Sequence, residues 1–139
     1  MGKHAIIIIK NEKNEYLQYF DEKWDSYLFI NCKMKDKDDL ASIYSELEQS
    51  LEIKRENANL FFIGKRVHNK FSESDKIEKE YKHYFYKVEL LKPVNKFKEK
   101  EFENSNKRYK WLSFDELTKD KRIKKVNSDI VNFVKELDI

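Results

Sequence analysis

Glycine and proline are nearly missing from this chain: Gly2, Gly64 and Pro93 are all there is in 139 residues. So few glycines exclude a Gly-rich phosphate cradle of the P-loop or dinucleotide-binding kind, which needs several in one short loop. The single cysteine, Cys32, excludes an intramolecular disulfide framework and points to a reducing compartment, the cytoplasm. Only His4, His68 and His83 accompany it, too widely separated for a zinc motif. Long apolar runs are absent as well. Ala5 to Ile9 is the strongest, far too short to cross a bilayer, and no small-residue cleavage site follows it, so neither a membrane anchor nor a secretory leader is expected. Excess charge of one sign is also lacking. Lys and Arg number 29 against 26 Asp and Glu, and a net +3 over the whole length argues against nucleic acid as a partner.

What is present is aromatic and charged. Ten Phe, eight Tyr and two Trp sit in a chain that is 40% hydrophobic and 40% charged. A disordered chain would lack the rings, so the charge reads as a dense solvated surface around one core. The length suits a single domain spanning 1–139.

Ala5 to Ile9 is continuous and β-branched, the pattern of a strand covered on both faces. Asn11 to Asn14 supplies a turn, and Tyr16 to Phe20 reads as the antiparallel partner. A third strand follows at Tyr27 to Ile30, extending to Met34. Leu40, Ile43, Tyr44, Leu47 and Leu51 keep helical spacing and form one apolar stripe. Leu60 to Val67 and His83 to Leu91 form a hairpin, with the polar stretch Asn69 to Lys79 as its tip. Pro93 closes the second strand, and a charged loop is expected from Asn95 to Lys107. Arg108 to Leu112 is a last strand. Ser113 and Glu116 have capping-box spacing for a helix start. A terminal helix turning Ile130, Val131, Val134 and Leu137 inward is expected to begin near Val126. A mixed sheet with helices on both faces is the simplest packing of these pieces.

Two stretches carry a resemblance. Ser45-Glu46-Leu47-Glu48-Gln49-Ser50-Leu51-Glu52-Ile53 resembles the second half of the Nudix signature, and Arg108-Tyr109-Lys110-Trp111-Leu112-Ser113-Phe114-Asp115-Glu116-Leu117 is similar to that family's strand-then-helix ending. The resemblance implies an α/β fold, the Nudix-type α/β/α sandwich with a mixed β-sheet. Glu46 takes the place of the first helical Glu, and Leu47 and Ile53 hold the aliphatic places. Ser45 stands at the Arg place, Gln49 and Ser50 at the paired Glu places, and Glu52 at the closing Gly. The family's loop Gly and Glu fall on Asn31 and Lys37, or on Cys32 and Asp38 after a one-residue shift. Trp24 fits the Trp that often precedes the signature.

In that family, carboxylates on one helix face hold Mg²⁺ against a substrate diphosphate. Residues at i, i+3 and i+4 share a helix face, so Glu46, Gln49 and Ser50 should line up where the metal would sit. One carboxylate, one amide and one hydroxyl make a poor site for a divalent cation. The expectation is therefore a degenerate domain with no cofactor, in which Glu46 is the one remaining metal ligand and Mg²⁺ would be needed only if activity persists. Asp36, Asp38 or Asp39, and Glu101 or Glu103 as catalytic carboxylates, are the candidates to complete a rearranged site. Surface solubility is the plainer account of each. Trp24, Asn31, Gln49 and Ser50 are expected to line the ligand site, in a cleft between Trp24, the Glu46 face and the Glu101 loop. The ligand is a nucleotide-like or phosphorylated small molecule, or the partner is a protein. The alternatives are an active Mg²⁺-dependent hydrolase of nucleoside diphosphate derivatives and, third, a nucleic-acid accessory module. The oligomeric state is open.

Three further features have plain structural readings. Tyr109 and Trp111 share a strand face and should point inward, despite the basic residues interleaved with them. His68 and His83 should face each other across the hairpin as ordinary packing. Cys32 has no histidine nearby in sequence to make it a nucleophile.

Overall fold

The computed structural model describes residues 3–35, 39–72 and 75–137. Its strands are β1 (Lys3–Ile8), β2 (Glu15–Asp21), β3 (Ser26–Met34), β4 (Ala58–Phe71), β5 (Glu78–Leu90), β6 (Glu101–Asn104) and β7 (Lys107–Ser113). Helix α1 (Asp39–Leu51) follows β3, and α2 (Phe114–Lys119) and α3 (Lys121–Leu137) close the chain. The strands form one mixed sheet in the order β4-β5-β1-β3-β2-β7-β6, in which β1 and β5 run parallel.

The continuous apolar run of β1 is explained by its place inside the sheet, because alternate residues feed two cores. Ala5, Ile7 and Ile9 pack with Ile43, Leu47 and Leu51 of α1 on one face. Ile6 and Ile8 pack with Ile130, Val131 and Val134 of α3 on the other. This is an α/β/α sandwich, as the simplest packing of the pieces and the family resemblance led one to expect. Tyr109 and Trp111 are buried on the α1 side, as their shared strand parity demands. Ser113 caps α2: its hydroxyl accepts from Glu116 N at 3.2 Å, and Glu116 Oε1 accepts from Ser113 N at 3.0 Å.

Three expectations need correcting. The segment expected as a charged loop contains β6, whose outward Glu101 and Glu103 alternate with buried Phe102 and Asn104. The β4–β5 hairpin is longer than the apolar pattern indicates, since its strands continue to Phe71 and from Glu78 through polar residues beyond the core. The terminal helix starts at Lys121, but Asn127 breaks it with φ −139° and ψ 16°. Ile123 and Val126, ahead of the kink, are buried along with Ile130, Val131 and Val134. Among the described residues no helix is long and apolar enough to cross a membrane.

Candidate functional site

The last turns of α1 carry Glu46, Gln49 and Ser50, the helix residues singled out in the sequence. Ser50 lies one turn after Glu46, and its hydroxyl donates to the Glu46 carboxylate. Gln49 turns away and donates to Ser45 Oγ at 3.1 Å on the exposed side. The third party is Lys107, from the start of β7. Its Nζ lies 3.5 Å from Glu46 Oε2 and 3.4 Å from Ser50 Oγ. The same ammonium stands 5.4 Å from the centre of the Tyr19 ring. Tyr19 in turn donates to Asp21 Oδ2 at 3.0 Å and accepts from Asn31 Nδ2 at 3.1 Å. Burial, then the neighbouring Asp21 carboxylate, raises the Tyr19 phenol well above its ordinary range.

The end of α1 is also closed by the β6–β7 hairpin. Asn104 Nδ2 donates to Ser50 O at 2.7 Å, Ser105 Oγ to Gln49 O at 3.0 Å, and the Tyr109 hydroxyl to Ser50 O at 3.4 Å. Lys96 Nζ holds Asn104 from behind through its Oδ1 at 2.8 Å. Burial pushes the Tyr109 phenol up to about 12, so it serves as a neutral donor. Glu52, at the place of the closing Gly, has φ 58°. The backbone thus keeps the left-handed turn that glycine would adopt at less cost.

This donor set does not fit a divalent cation. One carboxylate remains on the face, it already accepts from a hydroxyl, and an ammonium occupies the space beside it. Mg²⁺ asks for several oxygen ligands in octahedral array. Among the described residues no group of three or more His, Cys, Asp or Glu could hold a metal. Glu101 and Glu103 do not complete the set. They project from the face of β6 opposite to Phe102 and Asn104, which turn toward α1, and Glu101 pairs with Lys110 at 3.0 Å. Asp36 and Asp38 lie outside the described residues, as does the side chain of Asp39. Cys32 is half-buried with Sγ 3.8 Å from Ser42 O, and burial, then Glu46, pushes its thiol up to about 12. A nucleophile needs the reverse.

Trp24 is not beside Glu46. It lines a cavity of about 260 Å³ on the α3 face, together with Asn31, Ile6, Tyr81, Asn127 and Ile130. Its backbone is fixed by Asp21 Oδ1, which accepts from Trp24 N at 3.0 Å, and by Arg122 Nη2, which donates to Trp24 O at 2.6 Å. The Trp24 and Tyr81 rings meet edge-on at 6.4 Å. Asn127 is buried and lines the cavity. The Lys79–Asp75 ion pair stands at the cavity wall. His4 lines it too; burial, then Lys33 and Lys79, lowers its pKa and keeps the imidazole neutral. His68 and His83 pack at 5.1 Å between ring centres, with His68 Nδ1 3.1 Å from Asp129 Oδ2. The structure therefore groups the candidates in two places. Trp24 and Asn31 share the cavity, Glu46 and Ser50 share Lys107, and the Asn31–Tyr19 hydrogen bond links the two. Lys107, Tyr19, Asn104, His4, Tyr81 and Asn127 carry no local signal that would have marked them.

Neither a family model nor a curated protein matches the chain. Solved structures do match in fold. An Ap4A hydrolase from C. elegans is 15% identical with a TM-score of 0.61, over 99% of this chain and 98% of that one. A MutT protein from Methanosarcina mazei Go1 is 14% identical with a TM-score of 0.59, over 97% and 91%. A Nudix-family hydrolase from Clostridium perfringens is 12% identical with a TM-score of 0.57, over 98% and 94%. The chain has the Nudix fold over almost its whole length.

Proposed function

We propose that this chain is a Nudix-fold binding domain without ordinary pyrophosphohydrolase activity, and that it takes a nucleotide-like ligand in the Trp24–Tyr81 cavity. The observation that carries this reading is the Lys107 ammonium beside Glu46 and Ser50. A diphosphate-cleaving centre of this fold relies on bound metal ions to neutralise charge and activate water. Here Glu46, the carboxylate on that helix face among the described residues, is paired with a side chain of the same protein. The cavity supports the binding half. Its two aromatic rings can pack on a planar group, and the Asn127 and Asn31 amides that line it can read polar edges.

The test is a panel of nucleoside mono- and diphosphates and dinucleotides, each with and without Mg²⁺ or Mn²⁺. Thermal unfolding and phosphate release are read in parallel. At least one nucleotide should raise the melting temperature with no turnover and no requirement for metal, and Trp24→Ala should remove that shift. Metal-dependent turnover that Glu46→Gln abolishes would establish the hydrolase reading instead.

A further inference from the structure

The two edges of the sheet are built in opposite ways. An edge strand exposes a row of unpaired backbone N–H and C=O groups, and proteins blunt such edges with short strands, charge or coverage. At one edge β6 is treated so. It has four residues, exposes Glu101 and Glu103, and has its Glu103 carbonyl taken by Lys96 Nζ at 3.0 Å. At the other edge β4 runs for fourteen residues and leaves Phe61, Phe62, Val67 and Phe71 respectively 49%, 56%, 48% and 45% exposed.

These apolar residues do not form one face. Phe62 sits opposite Tyr86 and packs on it at 5.5 Å between ring centres, on the α1 side. Phe61 sits opposite Lys87, with the other parity. What the exposed residues share is the edge itself. A partner that covers both faces at once there is an added strand, bound through backbone hydrogen bonds with side chains alternating above and below.

Charge selects the partner. No acidic residue occurs from Ala58 to Phe71, while Lys65 and Arg66 are exposed at its centre. They lie on opposite faces, Lys65 Nζ 5.2 Å from the Tyr84 ring centre and Arg66 Cζ 5.3 Å from that of Phe133. A second copy added antiparallel to β4 would bring these cations against their own counterparts. An extended segment with two consecutive acidic residues would instead place one carboxylate on each face.

We infer that the β4 edge is a docking site for an extended segment of another protein, apolar at its flanks and acidic at its centre, bound by strand addition. This inference is independent of the nucleotide reading, since β4 contributes none of the cavity-lining residues named above. The probe is a labelled synthetic peptide with a central Glu-Glu flanked by Val and Thr, compared with its Lys-Lys analogue by fluorescence anisotropy. The Glu-Glu peptide should bind roughly ten-fold tighter, and added salt should narrow the gap. It should also slow amide hydrogen exchange along β4. The double substitution Lys65→Glu and Arg66→Glu, at exposed positions, should reverse the preference while leaving the melting curve cooperative. Equal binding of the two peptides, or protection elsewhere than β4, would overturn the inference. So would sedimentation showing a dimer paired through β4, because the occupant would then be a second copy.

Discussion

Replacing Lys107 by Glu should turn the α1 face from a self-neutralised contact into a place that responds to metal. In the parent chain the Lys107 ammonium and Glu46 carboxylate are 3.5 Å apart, with side-chain exposures of 42% and 21%. Two unit charges at that separation attract by about 5 kcal/mol at an effective dielectric of ~20. Partial exposure, desolvation and side-chain ordering reduce the net value to on the order of 1 kcal/mol. Lys107→Glu loses this attraction and adds a repulsion of similar size, so metal-free protein should be about 2 kcal/mol less stable. For a domain of this length the melting temperature should fall by roughly 6–10 °C. The variant also places a second carboxylate beside Glu46 and Ser50. With a dissociation constant of ~1 mM, ~10 mM Mn²⁺ would return about 1.4 kcal/mol. The assay is thermal unfolding of both proteins in chelator and in Mg²⁺ or Mn²⁺. The variant should recover much of its loss, and the parent should shift little. If the parent gains as much from metal as the variant, the ammonium does not occupy the cation's place and the reasoning fails. An unchanged melting temperature for the metal-free variant would mean that the contact carries no energy.

Two further outcomes follow from local geometry. Glu52→Gly should stabilise the protein by roughly 1 kcal/mol, because φ 58° strains a residue with a Cβ, and a shift of the urea midpoint at constant m-value checks this. Lys100 Nζ donates to Glu15 Oε2 and Glu116 Oε1, both at 2.8 Å, and those hydrogen bonds do most to hold each carboxyl below its ordinary 4.5. A lowered folded-state pKa stabilises above about pH 4.5 and loses that contribution as pH falls through the lowered values. Lys100→Ala should therefore cost about 0.5–1 kcal/mol at pH 7, given its exposure, and flatten the acid limb of stability measured by denaturant melts between about pH 3 and 7.

How much of this was legible depended on the range of the interaction. The α1 stripe could be read because helical spacing is local, and Ile43, Leu47 and Leu51 are indeed buried, although Leu40 is 38% exposed. The Ser113 cap involves residues three apart and could be read for the same reason. That Glu46 and Ser50 share one helix face was visible in the sequence. Their contact with Lys107 was not, since Lys107 lies 61 residues beyond Glu46 and reaches it only through the sheet order. Glu101 and Glu103 were plausible acids while their segment read as a loop, where side-chain direction is undetermined. Once β6 is a strand, Phe102 and Asn104 take the inward parity and the two carboxylates must face away. Trp24 was placed by counting from the signature, and a count along the chain does not say which side of a sheet a turn residue occupies.

The tie between the β6–β7 hairpin and the last turn of α1 also bears on how the molecule breathes. Asn104, Ser105 and Tyr109 satisfy carbonyls that the helix end would otherwise expose to water. Fraying of that turn must break these bonds, and peeling of the hairpin must expose the same carbonyls. The two should therefore open as one cooperative unit, despite being more than fifty residues apart in sequence. Amide exchange in the final turn of α1 and in β7 should slow and quicken together across denaturant.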